Sequence, residues 1–274
     1  MSHSRATVEA ASRRGSRFAY IGDNTILATV LDRYRMVLDS TDRGIVPHLC
    51  MDGFWESWIT AWVMNNVKAG QRVLNLGANC GYYTMLLADL VGPAGRVLAV
   101  EPSPVHAANI WYSAHLNGYH ERLDLFEGVV GEQEGPAVLS WYPGMTMNAR
   151  VYYEDAPKDP AVALSAPKET MTAQMKRADV LVAEWPSADL ALIDTEGAEP
   201  MVFKGMEEII KHNPRFRALI EFSPGRYADP ASFIDWLRAR GFGFEVVGLE
   251  ATASPITREQ LLDGEERMIL LSRP

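Results

Sequence analysis

The 274-residue chain has two cysteines, no long apolar run and no run of basic residues. Each shortage removes a class of function. Cys50 and Cys80 are too few for a disulfide framework and lack metal-ligand spacing. They read as free thiols of a protein kept in a reducing cytoplasm. No stretch of about 18 apolar residues occurs, so no segment is expected to span a membrane. Residues 1–17, MSHSRATVEAASRRGSR, hold arginines but no apolar core, so they are not a secretory signal and are expected to form a disordered tail. A formal charge of −9 without a Lys/Arg patch argues against a nucleic-acid partner. Two phosphate-binding patterns are missing as well. GxxxxGK[ST] does not occur, and the turn Gly77–Gly81 fails GxGxxG because Asn79 stands where the second glycine belongs.

What is present is the composition of a globular protein, 47% hydrophobic and 22% charged. The most informative stretch is VLNLGANCGYYT. Val73–Leu76 reads as a buried strand, Gly77-Ala78-Asn79-Cys80-Gly81 as a tight turn, and Tyr82–Leu90 as a helix by its apolar spacing. Glycines let the backbone bend sharply, and the helix offers its first N–H groups to the turn. A strand, a glycine-rich turn and a helix make a cofactor site at the carboxyl end of a sheet. A side chain at position 79 crowds out a pyrophosphate but suits a small zwitterionic tail. The next strand, RVLAVEPSP, ends in Glu101-Pro102. A carboxylate at that tip accepts both hydroxyls of a ribose. NAD and S-adenosylmethionine each carry a ribose, so Glu101 alone does not separate them.

Helices and strands alternate through the rest of the chain, which predicts an α/β fold with a mostly parallel sheet. Residues 18–70 are expected to form an N-terminal cap ending in a Trp-rich helix, Phe54–Val67. Residues 71–274 form the main domain. Its strands are expected at Arg72–Leu76, Val97–Glu101, Leu123–Val130, Leu190–Asp194, Phe216–Phe222, Phe244–Leu249 and Met268–Leu271. Single helices are expected at Pro200–Lys211 and Pro230–Arg240. Residues 136–170 break the rhythm, with several prolines and an apolar character that fits a lid over a substrate. Ala137–Tyr142 there is expected to form a hairpin with the strand before it. Asp194 and Glu221 each end an apolar strand, at neighbouring tips. A carboxyl at a dry wall gains the pKa of a base. Two such groups can also bind Mg²⁺; without an evident third oxygen ligand, the metal-free form is favoured. His48, just before the Trp-rich helix, is a candidate for the pocket wall.

LGANCG followed by VEPSP resembles the first two motifs of S-adenosylmethionine-dependent methyltransferases. LALIDTEGAEPMVFKG, with GFWESW upstream, resembles the FkbM family of those enzymes, over roughly residues 18–272. The resemblance implies a Rossmann-like class I sheet of seven strands in the order 3-2-1-4-5-7-6, the seventh antiparallel. It implies S-adenosylmethionine held by Gly77, Ala78, Asn79, Gly81, Glu101 and Pro102. Glu56 would stand near the cofactor's amino-acid end and Glu132 near its adenine. Asn75 departs from the family pattern, where an aspartate commonly stands; its amide can still hydrogen-bond the cofactor's ammonium. Asp194, Glu196 and Glu221 would carry catalysis, a methyl passing to a hydroxyl of a small molecule such as a sugar or a polyketide-type product. The alternatives are an NAD-dependent dehydrogenase and a binding protein that keeps the fold without the chemistry. The Trp stripe and the cap are candidates for a homodimer interface.

Overall fold

The computed structural model describes residues 3–141, 150–151 and 169–273. At the N-terminus it overturns the expected tail, for residues 5–15 form helix α1 (Arg5–Gly15). The Ser4 hydroxyl caps it by accepting from the Thr7 N–H at 3.2 Å. Glu9 accepts from Arg5 one turn back and from the Ser57 hydroxyl across the fold, each at 2.7 Å. Low hydropathy hid this helix because Val8 is the one apolar side chain it buries in the core, and polar tertiary contacts add the rest. An antiparallel sheet follows, β1 (Arg17–Gly22), β2 (Thr25–Val30) and β3 (Tyr34–Asp39). Helices α2 (Ile45–Met51) and α3 (Ser57–Asn66) complete the cap. The Trp-rich helix starts later than expected because Glu56 is left-handed, with φ 39°. Trp62 is buried, and Trp55 and Trp58 pack on the same core.

The main domain opens with β4 (Arg72–Leu76), α4 (Tyr82–Val91), β5 (Arg96–Glu101), α5 (Pro104–Leu116) and β6 (Leu123–Glu127). Next come the short β7 (Val129–Val130), β8 (Gly135–Trp141), β9 (Arg150–Val151) and β10 (Glu169–Lys176). After α6 (Ala178–Leu181) the alternation resumes with β11 (Leu190–Ile193), α7 (Glu199–Lys204), α8 (Glu207–His212), β12 (Arg217–Phe222) and α9 (Pro230–Ala239). The chain ends in β13 (Gly243–Val247), β14 (Ala253–Pro255), α10 (Arg258–Leu261) and β15 (Arg267–Ser272). The sheet order is β14-β13-β15-β12-β11-β4-β5-β6. β15 runs antiparallel to both its neighbours, while β4, β5, β6, β11 and β12 are parallel. This is the expected order with one short strand, β14, added at the edge. One apolar cluster lies on the α4 side, continuous with the cap; a second packs α7, α8 and α9 on the opposite face.

Three expectations need correction. Leu123–Val130 is not one strand. At Gly128 the chain leaves the main sheet, and β7 pairs with β10 in a second sheet ordered β7-β10-β8-β9. A Cβ at Gly128 would strike the Gln174 carbonyl and the Phe126 ring, so only glycine lets the chain cross there. β8 accordingly pairs with β10 and β9 instead of forming a hairpin with the strand before it. Helix Pro200–Lys211 is two helices, because Gly205 packs directly on the Gly131 carbonyl, where a Cβ would clash. Of the expected lid, β8, β9 and the start of β10 are ordered strands; positions 142–149 and 152–168 lie outside the described residues.

The cap is joined to the main domain by polar mimicry of a strand. β3 is the edge of its sheet, and α5 lies against that edge. Asn117 accepts from the Arg35 N–H at 3.0 Å and donates to the Arg35 carbonyl at 2.7 Å. Ser113 Oγ accepts from the Val37 N–H at 2.9 Å. Exposed edge groups are thereby paired without another strand. Asn117→Ala would remove both bonds to the Arg35 backbone and, since water reaches those groups, is expected to cost about 0.5–1.5 kcal/mol. Urea unfolding measures the loss, and faster hydrogen exchange confined to the Arg35 and Val37 amides locates it.

Candidate active site

The tips of β4, β5 and β11 surround an open cleft. Its floor is built by the turn after β4. Gly77 has φ 84° and would, with a Cβ, collide with the Asp194 carbonyl oxygen. The glycine therefore brings the turn into contact with the neighbouring strand tip. Asn79, with φ 52°, is a left-handed asparagine, which that residue tolerates better than most. Its N–H donates to Glu101 Oε2 at 2.8 Å, and its own Oδ1 accepts from the Cys80 N–H. The Ser103 N–H donates to Glu101 Oε1 at 2.9 Å. Glu101 is thus pinned by two backbone groups, is 6% exposed and lines the cleft. That is a preformed acceptor for a vicinal diol.

Asp194, Thr195, Glu196 and Ala198 form the opposite lip. The loop takes its shape from Glu199, a buried carboxylate that accepts from the Thr195 N–H and hydroxyl, each at 2.8 Å, and from the Gly197 N–H at 3.1 Å. Carboxylate oxygens of Asp194, Glu196 and Glu221 lie within 4.8 Å of one another. Arg226 Nη1 stands 2.6 Å from Glu221 Oε2 and 3.0 Å from Glu196 Oε2. Its Nη2 is 3.2 Å from Glu266. Against the cost of burial, the fields of those three glutamates hold Arg226 above its ordinary range, so it stays charged.

Asp194 is exposed to the cleft but crowded by protein at its floor. That crowding, then the fields of Glu221, Glu196, Glu199 and Glu56, pushes its carboxyl well above the ordinary range. Cleft water reaches the group and weakens both effects. Burial, then Glu196 and Glu266, pushes Glu221 up to about 8 despite Arg226.

The structure thus gathers Gly77, Asn79, Glu101, Pro102, Asp194 and Glu196 on one cleft. Glu56 stands near it: its carboxylate accepts from Tyr83 Oη at 2.9 Å, and its field reaches Asp194. Four expected residues are placed elsewhere. Asn75 is buried and donates to Thr84 Oγ1 at 2.9 Å, tying β4 to α4. Ala78 is buried, its N–H spent on the Val100 carbonyl. Gly81 is glycine for packing, since a Cβ would meet Ile110 of α5. Glu132 pairs with Lys204 at 3.0 Å, away from the cleft lining. Glu221 is an ion-pair partner of Arg226 rather than an open base. His48 is exposed and packs on Trp55. The missing third ligand is not missing, because Glu196 supplies it; yet the guanidinium already lies between Glu196 and Glu221. The sequence offers a salt bridge to Arg226 as the alternative role for Glu221, and the structure has that pair. Sequence reading overlooked Glu199, His106 and the walls Val129, Val130, Leu139 and Val151. Glu199 alone carried a signal, lying inside the DTEGAEP stretch.

Residues 75–244 match the methyltransferase FkbM domain. The chain belongs to the FkbM methyltransferase family. Shorter likenesses accompany that match. The transmembrane O-methyltransferase of Macaca mulatta is 42% identical over 67 residues, 24% of this chain and 22% of that protein. The protein-L-isoaspartate O-methyltransferase of Aeropyrum pernix is 43% identical over 61 residues, 22% of this chain and 24% of that protein. The aligned stretches therefore span about a quarter of those relatives' length. Among solved structures, fibrillarin of Aeropyrum pernix with bound S-adenosyl-L-methionine covers 93% of this FkbM-family chain and 97% of its own, at 13% identity and a TM-score of 0.44. Likeness at that level carries no argument about function.

The acidic site of this FkbM-family protein also sets its pH response. A carboxyl raised in the folded state binds a proton that the unfolded chain has released, so stability falls as pH rises through the interval. For Glu221 that interval runs from 4.5 to about 8. The melting temperature is expected to fall across it, and to fall less steeply in Glu221→Gln, which keeps an oxygen for Arg226. Calorimetric scans of both proteins from pH 5 to 8 measure the two slopes.

Proposed function

We propose that the chain transfers a methyl group from S-adenosylmethionine to a hydroxyl oxygen of a small organic acceptor. The observation that carries this reading is Glu101, fixed by the Asn79 and Ser103 N–H groups on the same cleft as Asp194. A carboxylate held in this way suits the two ribose hydroxyls. S-adenosylmethionine, when bound, supplies an electrophilic methyl on a sulfonium. The protein's part is to orient the partners and to accept the acceptor's proton. Orientation is the larger share, since it removes the entropy of bringing two molecules together.

Asp194 is the base of this reading. Its raised pKa makes it a stronger proton acceptor than an ordinary aspartate, and unlike Glu196 and Glu221 it has no cation within ion-pair distance among the described residues. As the O–CH₃ bond forms and the S–CH₃ bond breaks, the hydroxyl proton passes to the Asp194 carboxylate. Arg226 holds Glu196 and Glu221 aside and limits the local excess of negative charge, the role an Mg²⁺ ion would otherwise play. The proposal is accordingly metal-free. Val129, Val130, Leu139 and Val151 give the cleft apolar walls above a polar floor. That lining favours a largely apolar acceptor with a hydroxyl, such as a polyketide-type product, over a free sugar. Two buried, unpaired thiols fit a cytoplasmic location. No observation favours the nicotinamide alternative.

Two measurements test the reading. Titration calorimetry with S-adenosylhomocysteine should show binding, weakened by about 10- to 100-fold in Glu101→Gln, the loss of hydrogen bonds to a charged group. NADH should give no heat. With an acceptor found by mass-spectrometric screening for an added methyl group, Asp194→Asn should lower kcat by about 10²- to 10⁴-fold with little change in cofactor affinity. Unchanged turnover in that variant would remove Asp194 from the mechanism.

A further inference from the structure

A buried histidine stands behind the diol acceptor. His106 lies in the first turn of α5, is 3% exposed and lines the cleft. Its Nδ1 is 3.8 Å from Glu101 Oε1. The Ser103 whose N–H holds that same oxygen also caps α5, its Oγ accepting from the His106 N–H at 3.3 Å. From the cap, Asp42 faces the same interior. It is 4% exposed, and its Oδ1 accepts from the Gly44 and Ile45 N–H groups at 2.7 and 3.1 Å. Its Oδ2 is buried without a hydrogen-bond partner among the described residues. A carboxylate oxygen left bare in a core is costly unless a cation is near.

We propose that His106 is a positioning residue for the cofactor. As an imidazolium it balances Glu101 from behind and Asp42 from the cap side, and so ties cofactor binding to proton uptake. The inference rests on the cofactor reading above. When a nucleoside covers Glu101, the carboxylate loses its remaining water. The attraction between imidazolium and carboxylate then strengthens, because the surroundings are drier. By linkage, the bound state holds the His106 proton more tightly than the free state.

The charged groups acting on His106 are Glu101 on β5, and Asp42 and Asp39 on the cap; all are acidic. Burial works against protonation, but their combined fields hold the imidazole above its ordinary 6.5. The Cys80 thiol nearby, on which Asp42 and Glu101 both act, is pushed up to about 12 by burial and stays neutral. Cofactor affinity is therefore full at low pH and falls as pH rises through the raised His106 pKa.

The test is titration calorimetry of the full chain with S-adenosylhomocysteine at pH 6, 7 and 8, in buffers of different ionisation enthalpy. The unmodified protein should take up a fraction of a proton on binding, and its affinity should drop severalfold from the lowest to the highest pH. His106→Gln should bind more weakly at pH 6, should take up no proton, and should lose most of the pH slope. Asp42→Asn, with His106 intact, should shift the slope to lower pH, and circular dichroism confirms that each variant is folded. A His106→Gln protein with the original slope and proton uptake would overturn the inference while leaving the cofactor reading standing. Failure of the unmodified protein to bind at any pH would remove both.

Discussion

Glu101 receives one N–H from the turn after β4 and another from the residue that caps α5. Those two bonds join three pieces of chain that a parallel sheet brings together at its carboxyl edge. The turn cannot relax away from β5 without leaving a buried carboxylate short of a donor, which costs more than the bond itself contributes. α5 cannot shift without carrying Ser103 and His106 with it. The glycines on either side answer to the same constraint. Gly77 allows the turn to touch the Asp194 carbonyl, and Gly81 allows α4 to pack on Ile110. The cleft is thus a consequence of backbone fit, and its polar groups are aimed before any ligand arrives.

The opposite lip solves a different problem, that of excess negative charge. Asp194, Glu196 and Glu221 crowd one corner, with Glu56 and Glu199 acting from either side. Like charges that close raise one another's pKa. Arg226 relieves part of this by pairing with Glu196, Glu221 and Glu266 at once. Asp194 has no such partner among the described residues, and its carboxyl stays raised.

The cap is more than a cover. Asn117 and Ser113 fasten β3 to α5, and Asp42 extends its field to His106. A segment outside the Rossmann-like sheet therefore bears on the helix that frames Glu101. The second sheet does the same from the other side. Once the chain crosses at Gly128, β7 and β8 supply Val129, Val130 and Leu139 to the cleft wall.

Local signals in the sequence determined the alternation of strands and helices, the glycine turn and the carboxylates at strand tips. Each is written in a few adjacent residues, by spacing or by the need for a positive φ. The α1 helix escaped notice because Ser4 and Glu9 stabilise it through polar contacts, which leave no apolar period. The direction of Asn75 was not legible either. A strand alternates its faces, and only the packed neighbour decides whether an inward amide meets a ligand or Thr84. The same holds for Glu196, Glu199 and Glu221, three carboxylates alike in sequence. One lines the cleft paired to Arg226, one is consumed in shaping a loop, and one is withdrawn by the same arginine. Glu199 is settled by its own loop, through Thr195 and Gly197. Glu196 and Glu221 meet on one arginine only because the sheet sets their strand tips side by side, and the energy of a charge depends on what the fold places beside it.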